Sequence, residues 1–226
     1  MRSVGVVRVL DLVLPERCAI CDLPGLGLCR ACRRSLIRLV PPVCERCGSP
    51  GPWPVRRCAE CSGRRPAFVT ARSAIVYDGR ARSFVRAWKE RGRRGLACDA
   101  AALMLEVVPR PDVNCLVPVP GDAERAWKRG EVPPRRLAVE LGRIWELPVL
   151  DALERGRALP RQRGLSLAER RRNVRGSVAA RSAVPAAVCL VDDVYTSGAT
   201  ADACARAARR GGARRVQVVT LARAVR

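Results

Sequence analysis

The sequence contains no histidine, and that absence removes several classes of enzyme at once. Of its 226 residues, 43 are lysine or arginine and 21 are aspartate or glutamate. A Ser-His-Asp triad, a Cys-His nucleophile pair and an H-E-x-x-H zinc protease all need an imidazole, so all three are excluded. Any metal site in this chain must draw its ligands from other side chains.

Aromatic residues and long apolar runs are also scarce. An aromatic content of 4% disfavours a base-stacking platform of the RRM type, which needs several exposed rings. The longest uncharged run, residues 182–191, is far shorter than the roughly 20 residues of a membrane-spanning helix. The first residues lack a small-residue cleavage site, so no secretory signal is expected. We therefore expect a cytoplasmic protein with no membrane span.

Positive charge is abundant and comes almost entirely from arginine. The formal net charge is +22 and the sequence pI is about 11.2, while the only lysines are Lys89 and Lys128. Such a balance indicates polyanions or phosphorylated ligands as partners. Short arginine runs at residues 91–94, 135–136, 170–172 and 209–210 are candidate phosphate contacts. Each run also suits a solvated helix face, and only clustering in space would separate the two interpretations.

Cysteine spacing in the first third of the chain predicts metal sites. Eight cysteines form four C-x-x-C knuckles: Cys18/Cys21, Cys29/Cys32, Cys44/Cys47 and Cys58/Cys61. A segment this short cannot bury enough apolar surface by itself, and two knuckles supply the four thiolates of a tetrahedral zinc site. Redox-active pairs or a disulfide cluster are the alternatives. We predict two structural Zn²⁺ ions with the knuckles paired in sequential order, while crossed pairing stays open.

After residue 66 the sequence changes to alternating apolar strands and Ala/Arg-rich helices. Strands are predicted at 68–77, 115–119, 187–191 and 216–221, and helices at 81–90, 96–107, 135–145, 167–172 and 201–210. This order predicts an α/β fold with a mostly parallel sheet. We place a small cysteine-rich domain at 1–66 and the α/β domain at 67–226. The other cysteines, Cys98, Cys115, Cys189 and Cys204, are predicted to be buried core thiols.

The stretch 188–200 carries the most specific chemistry. A buried strand leads into Asp192 and Asp193, followed by a turn rich in hydroxyl groups that opens a helix. Backbone N–H groups and a helix N-terminus in the turn suit a phosphate dianion. The two carboxylates repel phosphate but accept hydrogen bonds from a diol. Together these features predict a ribose 5-phosphate ligand. The predicted 5-phosphate contacts are Thr196, Ser197, Gly198, Ala199 and Thr200, and the ribose contacts are Asp192 and Asp193.

This stretch resembles the 5-phosphoribosyl-1-pyrophosphate (PRPP) motif of type I phosphoribosyltransferases. Together with the four knuckles, the chain is similar to the ComF family of bacterial competence-related proteins. Stretches 88–93, 116–120 and 162–176 resemble three further family elements. The resemblance implies a double zinc ribbon followed by a type I phosphoribosyltransferase-like domain, with PRPP and Mg²⁺ as ligands.

The pyrophosphate region departs from the family pattern. Where the family reads R-G-F-N-Q, this chain reads R-G-E-V-P-P over residues 129–134. Two prolines remove backbone N–H groups, and Glu131 would repel pyrophosphate. Lys128 and Arg129 remain as the expected pyrophosphate contacts. The sequence pattern indicates no catalytic residue. Binding of PRPP is therefore better supported than its turnover.

Two functions remain open on the sequence alone. In the first, the protein binds PRPP or a nucleotide together with single-stranded DNA, in competence, DNA uptake or recombination and alongside proteins of those processes. In the second, it is an active phosphoribosyltransferase that transfers the phosphoribosyl group of PRPP to an unidentified base or other acceptor.

Overall fold

The computed structural model of the chain describes residues 16–25, 27–90, 92–93, 95–121, 132–156 and 178–225. Its helices are α1 (Arg30–Ser35), α2 (Ala59–Ser62), α3 (Gly79–Glu90), α4 (Leu96–Leu105), α5 (Pro133–Trp145) and α6 (Ala199–Arg210). Its strands are β1 (Thr70–Val76), β2 (Cys115–Pro118), β3 (Leu153–Arg155), β4 (Val178–Ala180), β5 (Ala187–Tyr195) and β6 (Arg215–Arg223). None of the helices described is long and apolar enough to cross a membrane.

The four longer strands form one parallel sheet in the order β1-β6-β5-β2. Strand β5 lies in its interior, and residues 188–191 are buried because helices cover both faces. Helices α3, α4 and α5 pack on one face, and α6 packs on the other. The predicted α/β architecture with a mostly parallel sheet is confirmed.

The cysteine-rich segment covers the β1 edge of this sheet. The backbone N–H of Leu39 donates to the carbonyl of Ala74 over 2.8 Å, and that of Val76 donates to Ile37 over 2.9 Å. Pairing of this kind satisfies the strand edge that would otherwise be open to a second chain. The segment is thus joined to the α/β part by backbone hydrogen bonds as well as by the chain itself.

The two halves of the cysteine-rich segment differ in how they are anchored. Cys18, Cys32 and Leu36 belong to the same apolar core as Phe84 and Trp88 of α3. The later cysteines, Cys44, Cys47 and Cys61, form a small core of their own. We call residues 16–39 the first lobe and residues 43–62 the second lobe. The predicted domain boundary after residue 66 follows the second lobe and stays a prediction.

Several details differ from the predicted elements. Strand β5 continues to Tyr195, so the acidic pair lies within the strand, because its pairing with β6 extends to Arg223. Helix α5 begins two residues earlier than predicted, at Pro133, since proline fits the first turn of a helix. The antiparallel pair β3–β4 was not predicted, because three-residue strands carry almost no periodic signal. The predicted helix at 167–172 lies outside the described residues.

Candidate functional site

The eight knuckle cysteines come together in two groups of four, Cys18, Cys21, Cys29 and Cys32, and Cys44, Cys47, Cys58 and Cys61. Within each group all Sγ atoms lie within 4.8 Å of one another. The pairing is therefore sequential, as predicted, and crossed pairing is wrong.

The sulfur geometry fits zinc. The Sγ–Sγ separations are 3.9 Å for Cys21–Cys29, 3.6 Å for Cys44–Cys61 and 3.4 Å for Cys47–Cys58. A tetrahedral ion with Zn–S bonds of about 2.3 Å requires sulfurs about 3.8 Å apart. The two tetra-cysteine sites are thus consistent with structural Zn²⁺. In each lobe the four cysteines would bind one ion as thiolates, and the ion would hold the lobe together.

Backbone amides favour the thiolate form of one cysteine in each group. Burial alone would raise the pKa of Cys18, but N–H groups of Cys21, Cys29 and Ile20 lower it to about 6. In the same way burial opposes ionisation of Cys44, while the N–H groups of Cys47, Cys58 and Arg46 bring its pKa to about 7. A pre-ionised thiolate is the form that binds a metal ion.

The turn after β5 has the geometry of an anion site. Gly198 caps the N-terminus of α6 with φ 72°, a left-handed conformation that favours glycine. The N–H of Ala199 points to Ser197 Oγ at 3.4 Å. Thr196, Gly198 and Thr200 line a small cleft together with Asp192. The structure therefore brings the predicted 5-phosphate residues to one helix N-terminus, next to the first predicted ribose contact.

The acidic pair lies at the carboxyl end of β5, and its two members have different surroundings. Successive strand residues point to opposite faces of a sheet. Asp193 is 4% exposed and forms an ion pair with Lys89 at the end of α3. Asp192 is half-buried, and its Oδ1 accepts a hydrogen bond from the Asp193 N–H. Lys89 thus joins the candidate site from the opposite face of the sheet.

Burial raises the pKa of Asp192 to about 6, against the opposing influence of Lys89 and Arg155. A carboxyl group with a raised pKa, next to a turn whose geometry suits an anion, is typical of a functional site. Near neutral pH it remains ionised and accepts hydrogen bonds.

Arg223, at the end of β6, connects this turn to the second lobe. Its side chain is fully buried, and its Nη1 donates to the Cys47 carbonyl over 2.8 Å while Nη2 contacts Glu60 at 2.6 Å. Its guanidinium also lies 4.5 Å above the ring of Tyr195. Tyr195 in turn packs beneath the phosphate turn, since a Cβ added to Gly198 would meet its hydroxyl oxygen at 2.2 Å.

Other predicted residues lie elsewhere. The predicted pyrophosphate contacts Lys128 and Arg129 lie outside the described residues. Of the four cysteines predicted to be core thiols, Cys115, Cys189 and Cys204 are buried, whereas Cys98 is half-buried. Burial raises the pKa of the Cys204 thiol to about 12, which makes it inert.

Sequence reasoning missed Lys89 and Arg223 as neighbours of the site. Lys89 lies in a stretch that the family resemblance had marked, and it is one of only two lysines. That rarity was a usable signal. Arg223 is one arginine among many, and nothing in its sequence surroundings distinguishes it.

Known proteins give an independent comparison. Residues 9–63 match the model of the double zinc ribbon domain. The chain is 30% identical over 230 residues to the DNA utilization protein YhgH of Salmonella typhi, covering 94% of this chain and 99% of that protein. The chain belongs to the ComF family.

Further ComF relatives extend over nearly the same length. Competence protein F of Haemophilus influenzae is 27% identical over 210 residues, covering 88% of this chain and 91% of that protein. The DNA utilization protein YhgH of Escherichia coli K12 is 28% identical over 228 residues, with 94% and 99% covered. Both the cysteine-rich segment and the α/β part of this chain therefore have counterparts in these relatives.

Proposed function

We propose that this ComF-family chain binds PRPP, or another ribose 5-phosphate ligand, together with single-stranded DNA, and that it acts in competence, DNA uptake or recombination. The observation that carries the first half is the turn 196–200, which joins a left-handed glycine and a helix N-terminus to the acidic pair of β5. This arrangement suits a phosphate and a vicinal diol held side by side.

In the proposed complex each group has one task. Backbone N–H groups of Gly198, Ala199 and Thr200 receive the 5-phosphate, with the hydroxyls of Thr196 and Ser197 beside them. Asp192 accepts hydrogen bonds from the ribose hydroxyls. Asp193 is already paired with Lys89. It can bind the ribose diol either while it keeps that ion pair or after the diol has replaced Lys89 as its partner.

The pyrophosphate end of PRPP is assigned to Lys128 and Arg129, and Mg²⁺ is proposed to arrive with PRPP. Mg²⁺ keeps several waters and prefers phosphate oxygens with one or two carboxylates. Asp192 is the free candidate for that contact, because Asp193 is paired with Lys89. When bound, the ion would neutralise charge on the pyrophosphate.

The DNA half of the proposal is supported by charge and by the relatives' names. A formal net charge of +22 favours a polyanion. Two relatives are named for DNA utilization and for competence. Aromatic content is low, so we expect affinity from phosphate contacts rather than from base stacking.

Calorimetry with PRPP and Mg²⁺ tests the ligand. The wild type and the control Asp151→Asn, an exposed carboxylate paired with Arg135, should bind alike, and Asp192→Asn should bind at least tenfold more weakly. Equal affinity in all three would remove this site from the proposal.

A second assay tests turnover and DNA. Release of pyrophosphate in the presence of a panel of bases would favour the transferase alternative. Binding without release, accompanied by a change in affinity for single-stranded DNA, would support a sensor, because coupling between two sites is reciprocal.

A further inference from the structure

Five arginines that are scattered along the sequence converge on the segment 64–67, between the second lobe and α6. Three of them donate to successive backbone carbonyls of this segment: Arg206 to Arg65 over 3.2 Å, Arg46 to Pro66 over 2.7 Å and Arg209 to Ala67 over 2.7 Å. Arg64 and Arg65 belong to the segment itself. We call Arg46, Arg64, Arg65, Arg206 and Arg209 the arginine cluster.

The cluster has a large excess of positive charge. Among the residues that the structure describes, Asp202 is the single carboxylate that forms an ion pair with a cluster member, at 3.1 Å from Arg206. Asp202 is also engaged by the N–H of Ala67 at 2.7 Å. Glu60 lies close by but is held by the buried Arg223. Within the described residues, the five guanidinium groups of the cluster are therefore balanced by a single ion-paired carboxylate.

The guanidinium groups are held in place without using up their hydrogen-bonding capacity. A guanidinium has five N–H donors. Arg64 uses two of its groups, donating from Nε to the Glu60 carbonyl over 2.9 Å and from Nη1 to the Ser197 carbonyl over 2.8 Å. Arg65 and Arg209 are exposed to solvent. Positioned donors with free N–H groups are suited to phosphate oxygens.

A cavity of about 290 Å³ opens beside the cluster. Arg64, Arg65 and Arg206 line it, and Phe68 and Tyr195 form part of its wall. Its volume is on the scale of a single unpaired nucleotide, whereas a base that is paired within a duplex cannot enter a pocket without leaving the base stack. The cavity also borders Gly198 and Ala199 of the phosphate turn.

From this arrangement we infer that the arginine cluster is the docking surface for the sugar-phosphate backbone of single-stranded DNA. This inference rests on the proposed function, which supplies the binding of DNA, and it adds where on the protein the DNA binds. Charge complementarity selects a polyanion, and the adjoining cavity selects a single strand. Because Arg64 donates to the Ser197 carbonyl, the proposed docking surface adjoins the turn that is proposed to hold the 5-phosphate.

The test is fluorescence anisotropy with a labelled 20-nucleotide oligo-dT, titrated with protein at several salt concentrations. The cluster variant Arg65→Gln/Arg209→Gln removes two exposed charges. The control Arg80→Gln/Arg143→Gln removes two exposed charges from α3 and α5, on the opposite face of the sheet. Both variants have the same net charge, so a difference between them reports position. Circular dichroism and zinc content confirm that each is folded.

We expect the cluster variant to bind at least tenfold more weakly than wild type at low salt. Its log–log salt slope should be smaller by about 1.4, since each single-strand phosphate contact contributes about 0.7. The control should change affinity less than threefold. Equal loss in both variants, or tighter binding of a duplex of the same length, would overturn the assignment. If the wild type itself fails to bind oligo-dT, the proposed function fails instead.

Discussion

The guanidinium of Arg223 lies 4.5 Å above the ring of Tyr195, in a position with no exposure to solvent. The same guanidinium bonds the Cys47 carbonyl and the Glu60 carboxylate, so it joins the second tetra-cysteine site to the phosphate turn. A buried charge whose partner is removed is strongly destabilising, so Arg223 needs these contacts. The geometry of the turn therefore depends on the second lobe being folded.

Replacing Arg223 by Met should destabilise the protein by about 2–4 kcal/mol, because it leaves the partly buried Glu60 carboxylate without a partner. In thermal unfolding that loss corresponds to roughly 4–16 °C for a chain of this size. The double variant Arg223→Met/Glu60→Gln should lose less than the two single variants added together. Strict additivity would show that the two side chains do not interact.

Metal analysis of the purified protein should find two zinc ions per chain, and Cys44→Ser should retain one. Structural zinc supplies folding free energy directly, so the second lobe should unfold in this variant. Its cysteines form a separate small core, so the sheet should stay folded. Cys18→Ser should lower the melting temperature of the whole chain, because Cys18 packs in the core that contains α3 and α4. Well under one zinc per wild-type chain would contradict the zinc assignment.

Replacing Lys89, the partner of Asp193, should lower the free energy of unfolding more than replacing both members of the pair. Lys89→Met leaves a carboxylate that is 4% exposed without its counter-charge, which should cost about 1–3 kcal/mol. Lys89→Met/Asp193→Asn should recover most of that loss, because neither member of the pair then carries a charge. Urea unfolding of both variants measures the difference. A double variant less stable than Lys89→Met alone would mean that Asp193 is stabilised by other groups.

Sequence periodicity was sufficient for the elements that carry strong patterns. The run 187–191 predicted a buried strand, and the C-x-x-C spacing predicted both tetra-cysteine sites, because each pattern records a local physical requirement. Motif order along the chain also predicted that the phosphate turn follows this strand, but the acidic pair lies within the strand rather than after it.

Contacts between residues that are far apart in the sequence could not be predicted from it. Lys89 and Asp193 are 104 positions apart, from 89 to 193, and their ion pair requires α3 to pack across the carboxyl end of β5. The arginine cluster likewise needs the second lobe, the segment 64–67 and α6 to meet. Members of one arginine run can also have different surroundings. Arg209 belongs to the arginine cluster, whereas its neighbour Arg210 bonds the Val178 carbonyl. Arg135 pairs with Asp151.

Asp192 should make stability depend on pH in a specific direction. Burial raises its pKa in the folded protein from 3.8 to about 6. The folded state then binds the proton more tightly than the unfolded state. This contribution is fully present below about pH 4 and is lost as pH rises through about 6. Asp192→Asn should therefore be more stable than wild type at pH 7.5, by up to about 3 kcal/mol, and close to it in stability near pH 4. Thermal unfolding of both proteins between pH 4 and pH 7.5 measures this difference. An Asp192→Asn variant that is less stable than wild type at pH 7.5 would contradict the raised pKa of Asp192.

The last prediction concerns Gly198, whose conformation the phosphate turn requires. Its φ of 72° is unfavourable for any residue with a side chain, and an added Cβ would lie 2.2 Å from the Tyr195 hydroxyl and 2.6 Å from the ring carbon that bears it. Gly198→Ala should therefore shift the turn and weaken PRPP binding at least tenfold, and Gly198→Val should abolish it. Tyr195→Phe/Gly198→Ala removes the nearest atom but not the ring carbon, so it should regain part of the lost affinity. Gly79→Ala is the matched control, since its added Cβ meets nothing within 4 Å. Calorimetry with PRPP and Mg²⁺ measures all four variants. Wild-type affinity in Gly198→Ala would show that the 5-phosphate does not bind at this turn.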